Sequence, residues 1–166
     1  AYWTTRYETI LDAVGESFRD REEVTEKAEA FDWSLEEQAR NTGGADYAFL
    51  CSISYRQVMA AHKLIADQEG NLVFLSKEND SNGCTGTVDI SYPSAPMFLL
   101  FNPEYVKAML RPVFRFAGCP VWEYDFAPHD VGRYPYAAGQ VYGLGKEGEN
   151  REFCYDNGAI FPFYYE

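Results

Sequence analysis

Residues 46–67 read DYAFLCSISYRQVMAAHKLIAD, and on a helix they would put apolar or small side chains around most of the circumference. A helix that is apolar nearly all round is a buried helix. The stretch is therefore expected to be one helix of about twenty residues, opened at Asp46 and ended by Gly70, with neighbours on every side. The segment before it has a different pattern. Val24, Ala28, Phe31, Leu35 and Ala39 recur at intervals of three and four between Glu22 and Asn41, which predicts an amphipathic helix with a narrow buried stripe. Gly43 and Gly44 follow it, and glycine past the last turn is the residue that accepts the left-handed conformation ending a helix.

The alternation continues outward. Tyr7, Ile10, Leu11 and Val14 predict a helix over 4–17 behind threonines able to cap it. NLVFLS at 71–76 is short, apolar and β-branched enough for a strand. Ser94 and Pro96 look like the start of a short helix through Phe101. Asn102 and Pro103 supply an N-cap and a first-turn proline for another, running to Gly118 with a kink expected at Pro112. Amphipathic helices alternating with wholly apolar ones fit a two-layered ring of helices better than a simple bundle, in which every helix needs a stripe. The expected fold class is mainly α: consecutive antiparallel helical hairpins forming part of an (α/α)6 toroid, with a short β element near 71–75.

A chain of 166 residues fits a single domain with a core of its own, so residues 1–166 are expected to form one. Its longest sizeable apolar run is MFLLF at 97–101, far short of the roughly 20 residues of a membrane span. Net charge is −12, spread along the chain. Such a surface repels phosphate backbones, so nucleic acid is not an expected partner. The four cysteines, at 51, 84, 119 and 154, lie more than thirty positions apart beside only two histidines. That spacing excludes the usual zinc motifs. No metal and no cofactor are expected. Cys51 is expected to be a buried free thiol, while the pairing of any disulfide stays open. The chain starts without Met and ends on IFPFYYE, and is expected to be part of a longer polypeptide.

Two loops carry the titratable residues. In SKENDSNGCTGTVD, residues 76–89, Glu78 and Asp89 flank a Gly-rich turn after the expected strand. Partial desolvation there makes them candidates for general acid or base work, although a solvated surface turn accounts for such residues too. The glycine does not fall where a calcium loop needs it, and no Glu closes that loop. EYDFAPHDVGRYPYAAGQ, residues 123–140, gathers three carboxylates, one of the two histidines and an arginine. His129 beside Asp130 can be held ready for proton transfer. Arg133 would hold a substrate carboxylate or clamp the loop through Asp130, and Trp122 and Tyr134 would form a wall. His62 looks like a satisfied or interfacial histidine. Neither the S-x-x-K nor the G-x-S-x-G nucleophile pattern occurs.

YAFLCSISYRQ (47–57), LSKENDSNG (75–83), TVDISYPSAPMFLLFNPEYVKAMLRPVF (87–114) and APHDVGRYP (127–135) together resemble the glutaminase A family. The resemblance implies the first half of a six-helical-hairpin toroid, similar to six-hairpin glycosidases and usually preceded by a β-rich domain. It also implies a secreted or periplasmic location. The family's blocks fall on Lys77-Glu78, Thr87-Val88-Asp89, Tyr92-Pro93 and Ala127-Pro128-His129-Asp130. The function implied is hydrolysis of the glutamine side-chain amide to glutamate and ammonia, in a site that also needs the missing second half of the same polypeptide. A glycoside hydrolase with paired carboxylates and a non-catalytic carbohydrate-binding module are the alternatives, so the expected ligand is a small molecule or an oligosaccharide. Catalysis is expected from Glu78, Asp89, His129 and Asp130 on one concave mouth, and substrate binding from Trp122, Arg133 and Tyr134.

Overall fold

The computed structural model describes residues 2–134 other than 79, 81 and 82, together with 137, 139 and 140. It is mainly helical with one two-stranded sheet. Two compact units divide the chain, Trp3–Ala60 and the part from Ala61 onward. Among the described residues no helix is long and apolar enough to cross a membrane.

In the first unit, α1 spans Ile10–Arg19 and α2 spans Arg21–Ala60. The expected start at Thr4 gives way to Thr9. Its hydroxyl accepts from the Asp12 backbone N–H while the Asp12 carboxylate accepts from the Thr9 N–H, a reciprocal cap. Residues 2–5 form a separate 3-10 turn. α2 is two limbs folded back at Gly44, whose φ of +85° no β-carbon would favour. Arg56 pairs with Asp32 at 2.7 Å and the Phe31 and Tyr55 rings lie 5.0 Å apart, so the limbs run antiparallel as a helical hairpin.

The second limb departs from its expected length and burial. It ends at Ala60, and His62–Ala66 form strand β1. Tyr47, Phe49, Leu50 and Ile53 are exposed, Phe49 to 67%, and Cys51 is half-buried. An apolar circumference states which surface avoids water; it does not supply the neighbours that would cover it.

In the second unit, β1 pairs antiparallel with β2, Leu72–Ser76, in the register His62 opposite Ser76 and Leu64 opposite Phe74. A strand left alone would orphan a row of backbone groups, and the partner nearest in sequence is the end of the expected helix. Asp67 closes the turn: its carboxylate accepts from the backbone N–H groups of Glu69 at 3.0 Å and Asn71 at 2.7 Å. The Arg115 Nη2 stands 3.3 Å from the same carboxylate, whose side chain is 1% exposed. Burial alone would raise the Asp67 pKa, but the Asn71 amide, the two backbone donors and Arg115 outweigh it and hold it below the usual value. A depressed folded-state pKa gives stability that is fully present above the unfolded value of about 3.9 and is lost as pH falls through the folded one. Asp67→Asn should therefore flatten the acid limb of Tm against pH below about pH 4. A limb as steep as that of the unmodified protein would show that Asp67 does not carry it.

α3 covers Val88–Phe101 and α4 covers Pro103–Ala117. α4 begins on the expected Asn102 cap, whose side chain accepts from the Glu104 N–H, and holds Pro112 within it. α3 starts six residues before the expected Ser94 and carries Pro93 and Pro96 inside. Each proline forfeits one helical hydrogen bond. Packing outweighs that loss, since Phe98 is 1% exposed and Ser94 is buried with its hydroxyl donating to Ile90 and Ser91 carbonyls. β2 is buried on both faces. Val73 and Leu75 join Val113, Phe116, Trp122 and Val131 in the core, while Phe74 stacks on His62 at 4.6 Å and meets Phe98 edge-on at 5.3 Å. Thus His62 is a buried ring on a strand, stacked on Phe74 and edge-on to Phe98.

Candidate active site

Beyond β2 the backbone is stitched into an irregular three-segment ladder. Residues 83–88 run through its middle. On one side the Glu78 N–H donates to the Cys84 carbonyl at 2.9 Å and the Gly86 N–H to Ser76 at 2.9 Å. On the other, Thr85 donates its N–H to the Gly132 carbonyl at 2.7 Å, Val131 donates to Thr85 at 3.0 Å, and Val88 donates to the His129 carbonyl at 2.9 Å. The two expected loops, distant in sequence, are thereby fixed against each other.

Gly86 is what lets them close. Its φ is +61°, and a β-carbon there would meet Val131 Cγ2 at 2.7 Å. Gly86→Ala should cost about 2–4 kcal/mol, from left-handed strain and overpacking together. A fall in the denaturation midpoint would register it, and an unchanged midpoint would mean that Val131 yields freely.

The ladder brings Glu78, Asp89 and His129 together. One candidate ligand atom from each lies within 4.8 Å of the others. His129 Nε2 stands 3.8 Å from Asp89 Oδ1, and its Nδ1 is 3.0 Å from Asp130 Oδ2. Asp130 is fully buried, and its other oxygen accepts from the Gly132 N–H at 2.9 Å. The imidazole thus has one nitrogen anchored on a buried carboxylate and the other beside exposed Asp89, with half-exposed Glu78 in the same cluster. Its hydrogen bond to Asp130 pushes the His129 pKa up, burial opposes the rise, and the charges of Asp130, Asp89 and Glu78 add to it. Burial, with Asp130 and Glu78 nearby, pushes the Cys84 thiol up to about 12, so it is not a nucleophile at neutral pH.

Arg133 and Tyr134 lie on the outer segment and are exposed. Arg133 bridges to Cys84 through its backbone, the Tyr134 N–H donates to Gly83 at 2.8 Å, and the Lys77 ammonium sits 6.0 Å from the Tyr134 ring centre. Trp122 departs from the expected wall. It is 5% exposed, packs on Phe116 at 5.4 Å, and donates its indole N–H to the Phe126 carbonyl at 2.7 Å. A tryptophan whose polar edge is satisfied inside the fold is a core residue.

Two contacts were not among the expected site residues. The Thr87 hydroxyl donates to Glu78 Oε2 at 3.4 Å instead of capping α3. Gln140 Oε1 accepts from the His129 N–H at 2.6 Å. Thr87 adjoins Val88 and Asp89 in the block TVD, and Gln140 ends the titratable loop. Adjacency was the only available signal, because neither residue type announces a role.

Described residues that are helix-rich with one short hairpin, in which carboxylates and an imidazole meet on stitched loops, have the make-up of a helical-hairpin domain. The family model described as the glutaminase A six helical-hairpin domain matches residues 44–151, and the chain belongs to that family. It is similar to glutaminase A of Aspergillus oryzae, 31% identical over 142 residues, which cover 85% of this chain and 20% of that protein. It is also similar to a probable glutaminase of Arthroderma benhamiae, 26% identical over 132 residues, 80% of this chain and 15% of that one. The chain therefore spans a fifth or less of these relatives' length. No solved structure matches it.

Proposed function

We propose that the full-length polypeptide is a hydrolase that cleaves the side-chain amide of glutamine, with Glu78, Asp89, His129 and Asp130 in its site. The observation that carries this reading is the buried Asp130 holding His129 toward Glu78 and Asp89. Two carboxylates and an imidazole around one point can polarise a water and turn it on an amide carbon. The water adds its oxygen to that carbon, the C–N bond breaks, and a proton reaches the departing nitrogen, leaving glutamate and ammonia. Asp130 keeps the imidazole in one orientation through that sequence. Exposed Arg133 is available to a substrate carboxylate, and the names of the relatives support glutamine as the substrate.

The exposed apolar side chains of α2 support a toroid in which further hairpins cover that face. Glycosidic cleavage is the second reading, favoured by one observation: carboxylate oxygens of Glu78 and Asp89 lie within 4.8 Å, near the roughly 5 Å spacing of retaining enzymes. Assaying the full-length polypeptide on glutamine and on a panel of oligosaccharides decides between them. Ammonia release without sugar release supports the amidase. Sugar release alone overturns it, and silence on both favours a binding module.

A further inference from the structure

The two carboxylates and the imidazole also have the make-up of a metal site that the cysteine and histidine spacing of the sequence could not announce. We propose that Glu78, Asp89 and Nε2 of His129 bind one divalent transition-metal ion, of the zinc or manganese type, which carries the water of the proposed hydrolysis. The catalytic meaning of this assignment rests on that hydrolytic reading, whereas the binding itself does not.

Three observations carry it. The separations fit: ligands around a tetrahedral ion with bonds of about 2.1 Å sit about 3.4 Å apart. The 3.8 Å between His129 Nε2 and Asp89 Oδ1 needs little closing. The 4.8 Å outer limit needs about 1.4 Å of closing, which half-exposed Glu78 and exposed Asp89 can make by rotating. The surrounding contacts fit as well. A metal-bound histidine commonly donates its other ring N–H to a carboxylate, which fixes the tautomer and aims the ligating nitrogen. Asp130 stands in that place, 3.0 Å from Nδ1 and wholly buried, held by the Gly132 N–H. Glu78 has an outer support of the same kind in the Thr87 hydroxyl. The donor set decides the ion. Calcium and magnesium favour all-oxygen shells, whereas one imidazole with carboxylates suits zinc or manganese. The fourth position of such an ion, left to solvent, would hold a water and lower its pKa toward neutrality.

The test uses the full-length polypeptide, stripped with a chelator and desalted, then titrated calorimetrically with zinc and with manganese chloride. Metal content of the untreated protein is measured by mass spectrometry. One equivalent of zinc or manganese per chain is expected. Asp89→Asn and His129→Ala should weaken it by at least tenfold, and so should Asp130→Asn, which removes a support and no ligand. Circular dichroism shows that each variant is folded. A flat titration, or equal affinity in the unmodified protein and in folded Asp89→Asn and His129→Ala, overturns the site. Binding without glutamine hydrolysis would leave the metal site standing and remove the amidase. Full glutamine turnover by ion-free protein would leave the amidase standing and remove the ion's catalytic role.

Discussion

His129→Ala in the full-length polypeptide should lower glutamine turnover by about 10²- to 10⁴-fold, the span typical of losing a positioned acid–base group. The melting temperature should barely move. The asymmetry follows from where the side chain sits: its ring is 41% exposed, so truncation opens no internal cavity. Asp130 is different, because it is wholly buried and its second oxygen holds the Gly132 N–H. Asp130→Ala should lower both activity and stability, whereas Asp130→Asn preserves the shape and isolates the effect on imidazole orientation. Ammonia release at saturating glutamine, read beside thermal melts, separates the cases. A His129→Ala variant with undiminished turnover would remove the imidazole from the chemistry altogether.

Phe98→Ala should have the opposite profile. Phe98 is 1% exposed and meets His62, Phe74 and Tyr105 at ring distances of 5.2, 5.3 and 5.7 Å. It is where α3 and α4 meet one face of the hairpin. Removing a buried phenylalanine side chain costs about 3–5 kcal/mol, the loss of transfer free energy plus the cavity left behind. Denaturant unfolding should show a midpoint shift of that size, and the protein that remains folded should turn glutamine over at an unchanged rate per active site. If activity fell further than the folded fraction, the aromatic cluster would be coupled to the ladder that carries His129.

The parts of the fold legible in the sequence are those with local causes. The α4 cap at Asn102 with Pro103, the break at Gly44 and the apolar strand 72–76 each rest on residues within one turn of the event. The expected helix across 61–66 went astray because its composition suits helix and strand alike, and the deciding partner, β2, lies across a turn. The prolines of α3 misled in the same way: a local penalty was outweighed by Phe98 packing. At the site, carboxylates flanking a glycine-rich turn and a His-Asp pair were visible as residue types. Thr87, Gln140 and the burial of Trp122 were not, since each depends on which backbone passes alongside.

The ladder between 83–88 and 129–134 ties residues such as Thr85 and Gly132, 47 positions apart. Closing a loop of that size costs entropy that grows only slowly with length, but until it closes the carboxylates and the imidazole share no space. Site and tertiary structure therefore exist in one equilibrium. A ligand that recognises only the closed form would stabilise it by about 2.7 kcal/mol at a hundredfold excess over its dissociation constant. The exposed residues 123–127 lie on the covalent connection between the two sides of that closure. A single proteolytic cut among them would leave every site residue chemically intact, yet turn the meeting of His129 with Glu78 and Asp89 from an intramolecular event into one between two pieces.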